Sequence, residues 1–132
     1  MPTRRKLAGV LLAVLFSCGG ANPAPAVSTF LLTLSNFDSW CAITVTQPSG
    51  TALPNGATGS TNTIKLATGT VLKLHGAPSS ASFEWAPSAG HGGWSGDIDS
   101  GQDPLSQDTT VTFDANKSVS VCCPFTSGSG CP

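Results

Sequence analysis

The sequence predicts a mainly β, disulfide-braced small domain of short strands, and three observations carry that expectation. Gly and Pro number 15 and 10 while only 10% of residues are charged, a composition that favours turns and short strands over long helices. Apolar residues recur at alternate positions in several short segments separated by turn residues, the period of a strand. Four cysteines (Cys41, Cys122, Cys123 and Cys131) remain once an amino-terminal export segment is set aside, and in an oxidising compartment four cysteines read as two disulfides. At 132 residues the chain is one domain's worth, which excludes a large multi-site enzyme.

Residues 1–17 have the plan of a signal peptide. Arg4, Arg5 and Lys6 precede an unbroken apolar run from Leu7 to Phe16, too short to span a bilayer as a helix. Leu15-Phe16-Ser17-Cys18 resembles a bacterial lipobox, so that Cys18 becomes the lipidated amino terminus and the membrane is engaged through that lipid. The competing exit is Ala24-Pro25-Ala26, an A-x-A pattern for ordinary secretion with a mature start at Val27. Residues 18–28 are small and proline-containing, which suits a flexible tether.

The folded domain is expected over 29–126. Thr29–Ser35 is a short apolar run fit for a buried strand, punctuated by Asn36 and Asp38. From Trp40 to Thr46, Cys41, Ile43 and Val45 share one strand face. Residues 47–62, rich in Pro and Gly, read as loop. Thr63–Leu66 and Thr70–His75 read as a hairpin closed through Ala67, Thr68 and Gly69, with Leu72 and Leu74 facing the core. Thr109, Val111 and Phe113 share a face in the segment from Asp108, and the last strand, Ser118–Cys123, turns Val119, Val121 and Cys123 inward and Cys122 outward. Parity then pairs inward Cys41 with Cys123 and outward Cys122 with Cys131, which would hold a flexible tail, 127–132.

Charge narrows the partners. In the mature part three lysines face seven carboxylates, net −4, and no arginine is left. Such a surface repels phosphate backbones, so nucleic acid is not an expected partner. His75 reads as an exposed strand residue. His91, among glycines beside Trp94, and Trp85, in the same segment, are the candidate ligand contacts. The loop Asp97–Asp103 (DIDSGQD) offers oxygen ligands at alternating positions but departs from an EF-hand, with Gly101 and Gln102 at its fifth and sixth places and Asp108 at its twelfth. The expected role of its carboxylates is turn capping, with no metal ion and no cofactor. Gly93-Trp94-Ser95-Gly96-Asp97 is not a nucleophile elbow, because the second glycine comes one position early. No catalytic residues are expected.

The order GTVLKL (Gly69–Leu74), Phe83, GWSGD (Gly93–Asp97) and TVTFDANKSVSV (Thr110–Val121) resembles the divergent InlB B-repeat family of bacterial surface modules over roughly residues 40–125. The resemblance implies a β-grasp-like unit serving as a spacer or adhesion module, with Trp94 in the core and no general catalytic residues. The chain differs from that family in an insertion between Phe83 and Trp94, in Cys123 where the family has a closing aromatic, and in carrying a single unit. The expected function is a non-catalytic cell-envelope or surface lipoprotein, facing outward or into the periplasm, with a structural, adhesion or interaction role. The alternative is a secreted module that binds a carbohydrate or protein through Trp85, His91 and the acidic loop.

Overall fold

The computed structural model describes residues 19–87 and 91–132. The expected signal segment, 1–17, and Cys18 lie outside the described residues, as do 88–90. From Gly19 to Ser28 the chain is exposed and without regular structure. Seven strands follow: β1 (Thr29–Asn36), β2 (Cys41–Gln47), β3 (Thr61–Ala67), β4 (Val71–Pro78), β5 (Gly93–Gly96), β6 (Asp108–Thr112) and β7 (Lys117–Cys122), with a three-residue helical turn at Phe37–Ser39. The domain is mainly β, as composition and alternation predict.

The strands divide between two sheets. One has the order β3-β1-β7-β5 and the other β2-β4-β6. In the first, β1 and β7 run parallel, with Leu34 opposite Val119, so the strand nearest the amino terminus lies beside the last one. The resemblance implies a β-grasp-like unit; the strands here form two sheets, and the described residues contain no α-helix for a single sheet to close over.

One core lies between the sheets. Leu32, Leu34, Ile64, Val119, Val121 and Trp94 come from the four-stranded sheet, and Ile43, Leu72, Leu74, Val111 and Phe113 from the other sheet and its edge. All are buried, because each strand presents alternate residues inward. Val45, expected inside, is only partly buried near the end of β2, where the pairing register with β4 shifts.

The expected hairpin between β3 and β4 does not form. β3 pairs with β1, whereas β4 pairs with β2 and β6, so the chain crosses from one sheet to the other at Thr68–Thr70. The crossing is tied on both sides: Thr68 N–H donates to Ser28 O at 2.9 Å, and Gly69 N–H donates to Phe113 O at 2.9 Å. Gly69 has φ +82°, a conformation that a side chain would strain. Alternation tells which residues face inward; it does not tell which of two facing sheets a strand joins.

Two buried asparagines knot the strand ends. Asn36, 1% exposed, donates through Nδ2 to Cys41 O at 2.7 Å and accepts from Cys41 N–H at 3.1 Å, joining the end of β1 to the start of β2. Asn62 accepts from Asn55 N–H at 2.9 Å and donates to Gly59 O at 3.3 Å, folding the long loop onto β3. Both side chains satisfy their polar atoms, which makes their burial tolerable.

The disulfides join Cys41 to Cys123 and Cys122 to Cys131, the pairing that face parity predicts. The first is wholly buried and links the two sheets. The second brings the tail back over β7. The tail also closes on itself, with Gly128 N–H donating to Phe125 O at 2.7 Å and Phe125 N–H to Ser129 O at 3.0 Å. Phe125 and Phe83 form an isolated bridge and meet Trp40, with ring centroids 4.7 Å (Phe125) and 5.3 Å (Phe83) from it.

Candidate functional site

The described residues that follow Phe83 turn back into the domain, with Ala86 buried. Trp85, a candidate ligand contact, is half-buried: its indole N–H donates to Leu105 O at 2.7 Å and its ring lies 5.8 Å from that of Trp94. The ring occupies space over Gly76, where an added Cβ would stand 2.5 Å from Trp85. Trp85 therefore supports the core and the 104–105 loop, and its polar atom is already used. Trp94 is 2% exposed and donates to Gln107 O at 3.3 Å. His91 is exposed, directly beside Gly92.

The acidic loop serves the backbone and nearby hydroxyls. Asp97 accepts from Ser118 N–H at 2.8 Å, and Asp103 accepts from Leu105 N–H at 2.9 Å. Asp99 accepts three bonds along β6, from the Thr110 hydroxyl at 2.7 Å, the Thr112 amide at 2.8 Å and the Thr112 hydroxyl at 2.9 Å. Partial burial pushes the Asp99 carboxyl pKa upward, but these hydrogen bonds and the charge of Lys117 outweigh it and hold the group below its ordinary value. At the turn after β6, the hydrogen bond from Lys117 lowers the Asp114 carboxyl and in return raises the Lys117 ammonium; the two lie 2.7 Å apart. His75 meets Asp108 across the β4–β6 ladder at 2.8 Å. Among the described residues no three His, Cys, Asp or Glu side chains gather as a metal site.

The feature best shaped to hold something is a cleft of about 690 Å³ on the outer face of the four-stranded sheet, within the ~300–1,000 Å³ range typical of small-molecule sites. Its floor is the outward row Ser35, Ser120 and Ser95, which lie opposite one another on β1, β7 and β5. Phe37 stands on one side, and Gly92, Gly93, Pro104 and Leu105 stand on another. Cys131, covalently joined to Cys122, lines it as well. The helical turn after β1 places Phe37 with 37% of its surface exposed. The hydrogen bond from Trp94 N–H to Pro104 O at 2.9 Å fastens the 104–105 loop beside β5.

The cleft thus gathers the end of the insertion and the end of the acidic loop, both of which sequence singles out, and leaves Trp85 behind its wall. Phe37 and the serine row were missed. Ser35 and Ser120 lie in segments already read as strands, but β5, which carries Ser95, was not read as one, and the strand order needed to line the three up was not legible. Cys18 lies outside the described residues, and among the described residues no helix is long and apolar enough to cross a membrane. No protein-family model, no curated protein and no solved structure matches the chain.

Proposed function

We propose that this chain is a non-catalytic envelope lipoprotein, anchored by a lipid on Cys18, whose single InlB B-repeat-like domain acts as an interaction module through the cleft. The observation that carries this reading is the course of β1. The strand receives the tether at Thr29 and delivers Ser35 and Phe37 to the cleft. Seven steps of ~3.3 Å separate Thr29 from Asn36, so about 23 Å of strand lies between the attachment and the binding surface. A lipid at the far end of the tether would hold the cleft away from the membrane. The acidic side chains support a non-catalytic role, since Asp99 spends both carboxylate oxygens and Asp97 and Asp103 one each in capping hydrogen bonds.

The anchor is tested by fractionating bacterial cells that express the full chain and its Cys18→Ala variant. The unsubstituted protein is expected in the membrane fraction and the variant in the soluble envelope fraction or unprocessed. Equal release of both into the soluble fraction would reject lipidation and leave cleavage after Ala26, which makes the protein a secreted binding module with the same cleft.

A further inference from the structure

We infer that the cleft binds a neutral oligosaccharide at disaccharide length, an assignment that rests on reading the cleft as the interaction surface. Three features of the lining select this chemistry. The first is the hydroxyl row. Ser35 lies opposite Ser120, and Ser120 opposite Ser95, and with neighbouring strands ~4.8 Å apart the three side chains form a line about 10 Å long. Among the described residues their hydroxyls have no protein hydrogen-bond partner, so they are available to a ligand.

The second feature is the apolar surface beside that line: the Phe37 ring, Pro104, Leu105 and the Cys122–Cys131 sulfurs. A pyranose ring has C–H faces that lie against such surfaces and hydroxyls around its rim that can pair with the serines. A wholly apolar ligand would strip water from the serine hydroxyls and from Asp103 without replacing those hydrogen bonds. The third feature is charge. None of Lys65, Lys73 and Lys117 lines the cleft, whereas Asp103 does, so an anionic ligand meets repulsion and no counter-charge. Asp103 already accepts from Leu105 N–H through Oδ1, which leaves its second oxygen free to accept from a sugar hydroxyl. An extended peptide fits less well: Trp94 N–H at the β5 edge is bonded to Pro104 O, which closes the main-chain ladder that a strand-like peptide would use.

The test is an NMR titration of the mature protein with both disulfides intact, following backbone amide signals. The probes are cellobiose, maltose and N,N′-diacetylchitobiose, with 1-naphthol and a capped tetra-alanine peptide as apolar and peptide comparisons. At least one disaccharide is expected to shift the Ser35, Ser95, Ser120 and Leu105 signals saturably. Ser120→Val and Phe37→Ala are each expected to weaken that binding about tenfold or more, with melting temperature and disulfide content retained. If the disaccharides leave the cleft signals unmoved at millimolar concentration, or bind both variants as tightly as the unsubstituted protein, the sugar assignment is overturned. In that event, cleft shifts with 1-naphthol or the peptide would preserve the cleft as the interaction surface, and silence with every probe would remove that reading too.

Discussion

Single side chains settle most of the local geometry, and Asp99 is the clearest case. One carboxylate ties the 97–103 loop to three donors on β6. Its folded pKa is depressed, so the stability it contributes is complete above the unfolded value of about 3.9 and is lost as pH falls from there through the lower folded value. Asp99→Asn is therefore expected to destabilise the domain by about 1–2 kcal/mol at neutral pH. Its stability should also change less than that of the unsubstituted protein as the pH drops below about 4, which denaturant melts across that range would show. Gly76 is the second case. A methyl there would meet the Trp85 ring at 2.5 Å and the Trp94 ring at 3.0 Å. Gly76→Ala is expected to cost about 1–3 kcal/mol and to alter the tryptophan near-ultraviolet circular dichroism. An unchanged spectrum would mean that Trp85 does not sit on β4. Neither Asn36 nor Asn62 was legible as a buried residue. Their composition signal is that of turn formers, and only the tertiary fold shows that backbone partners await them inside.

At the scale of elements, alternation revealed the inward faces of β2, β4, β6 and β7, because a half-buried strand writes its orientation into every second residue; the continuous apolar run of β1 hid its orientation, and Leu31 on that strand is in fact exposed. From those faces the disulfide pairing also followed: Cys41 and Cys123 share the inward parity, and Cys122 does not. Pairing partners were not legible. Thr68–Thr70 is short enough for a hairpin, and Ile64, Leu72 and Leu74 face the core whether their strands share a sheet or oppose one another. What decides is that β1 needs neighbours on both sides and takes β3 and β7. The two disulfides should differ in weight. They close separations of 82 and 9 residues, for which loop-closure entropy suggests about 4.5 and about 2.6 kcal/mol. A Cys41→Ala, Cys123→Ala double variant is thus expected to melt below a Cys122→Ser, Cys131→Ser variant. The reverse order in calorimetry would mean that the tail, and not the link between sheets, carries more of the stability.

For the whole molecule, the sandwich places residues 19–28 and the cleft at opposite ends of β1. Little of that arrangement could be read from sequence, because the cleft is assembled from residues as distant as Ser35, Leu105 and Cys131, and its serine floor exists only once β1, β7 and β5 are neighbours. The proposed export signal and tether, by contrast, rest on local patterns of charge and hydropathy in residues 1–28 and need no tertiary fold to be read. They also carry the largest claim, that the domain is presented from a membrane by its amino terminus. Intact mass spectrometry of the mature protein, taken without reduction, tests this most directly. The expected result is a chain that begins at diacylated Cys18 and contains two disulfides; a chain that begins at an unmodified Val27 would contradict membrane presentation.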